Sequence, residues 1–225
     1  MTAQKTAWGH LVWVLAGALL GMAVAAVFAG VLRLPRNLYL VPYVVLVSAF
    51  LWGYVRWSGV DLDHLIRDRR GWGLLGAVVV GAFVVSSVLR QPSSPTPQGF
   101  ELMFDLLWLG VVYGTLDGLL LSVLPVYATW KALSGEGWTA RWPGRIGAGI
   151  LALLASSVVT AAYHLGYPEF RGPQVMMPVF GVGVMSLSYI LTRNPLSPVL
   201  SHVAMHVAAV LHGLQSVLQL PPHYA

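Results

Sequence analysis

The stretch HLVWVLAGALLGMAVAAVFAGVL, His10–Leu32, contains no Asp, Glu, Lys or Arg. At about 20 residues per crossing it is long enough to span a hydrocarbon core of about 30 Å. It also exceeds the 7 to 15 apolar residues of a signal-peptide core, so it reads as a retained membrane helix. Six further apolar stretches follow: Leu38–Trp57, Trp72–Leu89, Phe100–Trp130, Arg145–Leu165, Val175–Thr192 and Pro198–Gln219. The runs are continuous rather than alternating over about ten residues, which excludes a transmembrane barrel. Composition agrees. Of 225 residues, 57% are hydrophobic and 9% charged, where a soluble domain carries about 25% charged residues. The expected fold class is all-α: a polytopic transmembrane bundle of about seven spans, multi-pass in a bacterial or archaeal cell membrane. Phe100–Trp130 is too long for one straight crossing, and Pro125 is expected to kink or end it.

Loop charges give an expected orientation. Lys5, Arg56, Arg67, Arg69, Arg70, Lys131, Arg141, Arg145 and Arg193 lie on the side of the N-terminus; Arg33, Arg36, Arg90 and Arg171 lie on the other. The N-terminus is therefore expected in the cytoplasm. The net charge of +5 is spread over short loops beside membrane helices, which argues for a lipid-bilayer partner and against nucleic acid. Oligomeric state leaves no trace in the sequence. Trp8, Trp13, Trp52, Trp57, Trp72, Trp130, Trp138 and Trp142 stand near span ends and read as an interfacial aromatic belt. The absence of cysteine excludes thiolate metal sites and a cysteine nucleophile.

An ionisable group inside a span is costly and marks a functional candidate. Asp117 qualifies, with Gly114, Thr115 and Gly118 beside it to let another helix approach. Asp105, five residues into the same span, reads as interfacial. His164 stands just before Gly166 and Pro168, which should end its helix. His202 and His206 are four apart and share one helix face within about 40°. Two imidazoles at this spacing are able to bind one metal ion. His212 falls about 80° off that face. One tension concerns depth. His164 lies about 28 Å along its helix from Arg145, yet His202 is only a few residues into its span. The two share a level only if the Asn194–Pro198 turn is buried or the fifth helix starts late.

A carboxylate, then a histidine, then a helix with His202-Val-Ala-Met-His206: this order resembles the CPBP family, the intramembrane proteases that include CAAX prenyl endopeptidases and bacteriocin-processing relatives. The stretch from Phe180 to His206 is similar to that family's penultimate helix, turn and last motif. Residues 100–225 would then be a CPBP-like four-span core, and residues 1–99 a three-span region without motifs. The family's Glu-Glu-x-x-x-Arg matches Asp117-Gly118-Leu-Leu-Leu-Ser122 with the second Glu and the Arg lost. Its Phe-x-x-x-His matches Thr160-Ala-Ala-Tyr-His164, and its His-x-x-x-Asn matches His202 to His206. The resemblance implies a peptide or membrane-protein substrate. Asp117 and His164 would activate water, and His202 and His206 would hold the developing charge.

The donor set Asp117, His164, His202 and His206 also suits a divalent transition metal, zinc or iron, which would lower the pKa of bound water to about 7. The function expected is an intramembrane hydrolase, with or without metal. A degenerate member that binds a partner helix or peptide is the alternative favoured by the lost Glu and Arg. A metal- or haem-binding membrane protein is the third.

Overall fold

The computed structural model describes residues 7–134, 137–214 and 219–220. Eight helices follow one another: α1 Ala7–Val31, α2 Arg36–Ser58, the short α3 Leu62–Arg67, α4 Arg70–Leu89, α5 Gly99–Ser134, α6 Trp142–Leu165, α7 Pro173–Thr192 and α8 Leu196–His212. No strand occurs among the described residues. Six of the helices are long and apolar enough to cross a membrane, and α8 is a shorter apolar helix. The protein is a multi-pass integral membrane bundle. Its surface agrees: Leu75, Val78, Val79, Leu154 and Val158 are exposed on helix flanks, where only lipid can cover them.

Six of the expected spans match these bounds within a few residues. The seventh is shorter than read. The α8 helix ends at His212 before Gly213, whose φ is +121°, a value that L side chains rarely adopt. Residues 215–218, at the far end of that expected span, lie outside those described, as do Lys5 and the side chain of Trp138.

Pro125 does not end α5, which runs 36 residues in all, to Ser134. A proline lacks the N–H that would bond the carbonyl four residues back, here Leu121. In α5 that carbonyl accepts the Ser156 hydroxyl from α6 at 2.6 Å, and Ser156 also meets the Ser186 hydroxyl of α7 at 2.7 Å. The turns before the proline are widened into π-helix over Gly118–Val123. Neighbouring hydroxyls thus satisfy what proline frees. Ser156→Ala removes that hydroxyl from the buried Leu121 carbonyl, at a cost of about 1–3 kcal/mol. Adding Pro125→Ala returns a backbone donor and recovers part of that loss. Thermal unfolding of the two single variants and the double variant in detergent reads the coupling directly.

The depth tension resolves through the α7–α8 turn, which is buried. Asn194 is fully buried and its side-chain amide donates to the carbonyls of Ile66 (2.9 Å) and Asp68 (2.6 Å), in and just after α3. Its oxygen accepts the Leu196 N–H. On α4, Gly73 and Gly76 leave the space: a Cβ at Gly73 would collide with Asn194 Oδ1, and one at Gly76 would stand 2.5 Å from Ser197 Oγ. The turn therefore sits under α3 and against α4, and α8 starts inside the bundle. This lets His202 reach the level of His164.

Packing runs across residue 99. The α8 helix packs on both α5 and α4, and α1 packs along α6.

Candidate functional site

Helix–helix distance builds the site. Gly110, Gly114 and Gly118 recur every fourth residue and form one face of α5. Opposite them stand Val207, Val203 and Val199 of α8. A Cβ at Gly114 would lie 2.9 Å from the Val203 Cα, and one at Gly118 would lie 2.9 Å from the Val199 Cα. Close backbone approach of this kind is what small residues every fourth position permit. It brings Asp117, at the end of a single α-helical turn between two π-helical stretches of α5, onto the histidine face of α8. Widened turns of this kind recur at functional positions.

Asp117 is buried, and each of its oxygens has a neighbour. Oδ1 accepts the Tyr43 hydroxyl at 3.0 Å. Oδ2 lies 3.4 Å from His206 Nε2. The His206 ring in turn packs on Tyr113, centroids 4.7 Å apart. Tyr43 comes from α2, so a span without any motif supplies a side chain to the site. Sequence reading had no means of finding it: an isolated tyrosine in an apolar span gives no signal. Tyr43→Phe strips the only hydroxyl bonded to Asp117 Oδ1 among the described residues. Hydrogen bonds to charged groups contribute about 1.5–3 kcal/mol, and a thermal-unfolding loss of that size is expected. A variant as stable as the parent would contradict the contact.

A cluster of tyrosines continues from Tyr43. Tyr39, Tyr113, Tyr163 and Tyr167 are all buried. Their hydroxyls meet at 2.5 Å (Tyr39–Tyr167), 2.6 Å (Tyr167–Tyr163) and 3.0 Å (Tyr113–Tyr163). This is a satisfied polar network within an apolar core, and it ties α2, α5 and α6 together.

The histidines have assignable protons. A carbonyl can only accept, so the His164 Nδ1–H donates to Thr160 O at 2.8 Å and the His202 Nδ1–H donates to Pro198 O at 2.9 Å. In the neutral ring each Nε2 then carries a lone pair. Beside an ionised Asp117, His206 donates from Nε2 and keeps its lone pair on Nδ1. His202 Nε2 and His206 Nδ1 are buried and have no partner among the described residues. Buried polar atoms are nearly always paired, so two such atoms together are notable.

Asp117, His164, His202 and His206 all line one cavity of about 580 Å³. Phe83, Met177 and Phe180 line it too and are exposed, so it reaches the lipid-facing surface between α4 and α7. Four methionines, Met176, Met177, Met185 and Met205, supply adaptable apolar wall.

Asp105, read as interfacial, is 1% exposed, and its Oδ1 has no partner among the described residues. It is not among the residues lining this cavity. His212 is separate as well, donating to the Gln91 carbonyl at 2.7 Å.

The metal-ligand set expected from the sequence is not assembled. Among the described residues no group of three His, Cys, Asp or Glu side chains is spaced to hold a metal ion. The reason is local. His206 turns Nε2 toward Asp117, while the His202 and His206 ring centroids stay 6.4 Å apart.

Packing bears on the stretch that the resemblance pairs with the family's first motif. Gly118, the position expected to hold its second Glu, stands against the α8 backbone with no room for a side chain. Ser122, in place of the Arg, is buried with its hydroxyl unpaired among the described residues. Tyr43 is the group that meets the carboxylate instead.

No curated protein and no solved structure matches the chain. Residues 125–208 match the family model described as type II CAAX prenyl endopeptidase Rce1-like. His164, His202 and His206 fall inside that stretch, and Asp117 precedes it. Through this segment, which runs from the second half of α5 into α8, the protein is similar to the CPBP family of intramembrane proteases.

Proposed function

We propose that the protein is an intramembrane hydrolase that cleaves a peptide or membrane-protein segment in the cavity between α4, α5, α7 and α8. The observation that carries this reading is the convergence of Asp117, His164, His202 and His206 on one cavity wall. The family match over residues 125–208 supports the reaction class. Water in the cavity would lose a proton to Asp117 or to the Nε2 lone pair of His164 as it attacks the peptide carbonyl. The charge developing on the carbonyl oxygen would be met by whichever of His202 and His206 is an imidazolium, because a neutral ring whose free nitrogen is bare cannot donate. Tyr43 would fix the carboxylate so that Oδ2 stays toward His206.

Zinc or iron held by the same four residues would polarise the water when bound. The donor spacing among the described residues does not fit that group.

A second reading has one observation in its favour. Gly118 and Ser122 replace the paired Glu and the Arg, so the charge network that tunes the family's base is missing. On that reading the cavity binds a partner helix or peptide without cleaving it. The deciding experiment measures cleavage of a membrane-embedded peptide pool by the purified protein, with the Asp117 and His202 variants argued in the Discussion. Binding without cleavage selects the second reading.

A further inference from the structure

At the opposite end of the bundle from the catalytic cavity, a second cavity of about 160 Å³ lies between the ends of α5 and α7. Its floor is Val126 and Ile190, with Leu65 of α3 on one side. Its polar groups are Tyr127, Lys131, Tyr189 and Arg193. Tyr189 is 5% exposed, lines the cavity, and has no hydrogen-bond partner for its hydroxyl among the described residues. Lys131 and Arg193 form no ion pair among the described residues. The Lys131 ammonium sits 5.6 Å from the centroid of the Tyr127 ring. The ion pair nearest in the fold, Arg67–Asp63 at 2.7 Å, is internal to α3.

Arg193 adds an independent observation. It caps α7 in the left-handed region, φ +55°. Glycine or asparagine is the usual residue there, because a Cβ is disfavoured.

We propose that this cavity binds the phosphodiester headgroup of an anionic phospholipid. Lys131 and Arg193 meet the phosphate, and the Tyr189 hydroxyl donates to one of its oxygens. The acyl chains run along Val126 and Ile190 onto the exposed apolar flank of the bundle. A basic pocket between membrane helices, with an apolar floor and unpaired donors at helix-end level, has the chemistry such lipids need. The site is independent of the hydrolase reading.

The test compares the protein in nanodiscs of phosphatidylcholine alone with nanodiscs containing phosphatidylglycerol. It reads thermal unfolding, and lipid retention by native mass spectrometry. Phosphatidylglycerol is expected to raise the unfolding midpoint and to be retained. Lys131→Gln and Arg193→Gly should each weaken retention about fivefold, the value of one cation near a membrane surface. Glycine keeps the left-handed backbone, so Arg193→Gly leaves the fold intact. Tyr189→Phe, which removes one oxygen and leaves the ring, should weaken retention while unfolding in phosphatidylcholine stays unchanged. Equal loss in Arg141→Gln and Arg145→Gln, which lie outside the cavity, would reduce the effect to general surface charge and overturn the site. An equal stabilisation by inorganic phosphate alone, at matched ionic strength, would overturn the lipid assignment.

Discussion

Asp117→Asn is expected to lower peptide cleavage by about 10²–10⁴-fold, the contribution of a positioned general base. Asparagine has nearly the shape of the carboxylate and still offers an oxygen to the Tyr43 hydroxyl, which stands 3.0 Å from Oδ1. The variant should therefore fold, and a normal unfolding midpoint with lost activity separates chemistry from structure. His202→Ala removes a fully buried ring whose Nε2 is unpaired among the described residues, and it is expected to lose activity to a similar degree. Residues that act as one unit are not additive, so the double variant should be no slower than the worse single one. Cleavage at parental rates in both single variants would sink the water-activation reading.

The largest effect on stability is expected from Gly118→Glu, the change that would restore the second carboxylate of the family motif. A Cβ at this position already stands 2.9 Å from the Val199 Cα and 3.3 Å from His202 Nδ1. The near atom is backbone, so no rotamer change makes room. Overpacking alone costs about 1–3 kcal/mol, and a buried carboxylate without a partner adds several more. The expected outcome is failure to fold, or a loss of at least about 3 kcal/mol in detergent unfolding. Gly118→Ala gives the milder version at about 1–3 kcal/mol. A Gly118→Glu protein as stable as the parent would mean that α5 and α8 do not touch as described. In this chain the motif cannot be repaired by one substitution, because the helix spacing has closed over the missing side chain.

The bundle was legible because hydropathy is a long-range signal in sequence: each span declares itself over some 20 residues. Asp117, His202 and His206 were legible for the opposite reason, being isolated ionisable groups in apolar surroundings. Their meeting was foreshadowed by Gly114 and Gly118. Three things were not legible. Tyr43 looks like any tyrosine in a membrane helix until α2 is laid beside α5. Pro125 was expected to kink or end its helix, and only the serine of another span explains why α5 runs on. That no metal-ligand set forms among the described residues follows from where each imidazole commits its first nitrogen, which residue spacing does not encode.

The short α8 helix has a consequence for how the protein is made. Seventeen residues rise only about 25 Å, less than a hydrocarbon core, and three of them are histidines. Such a segment partitions poorly into a bilayer by itself. The surfaces that receive it, on α4, α5 and α7, all precede it in the chain and emerge first from the ribosome. Insertion of α8 is therefore a docking step, in which helices already made draw in the segment that carries His202 and His206 to the cavity.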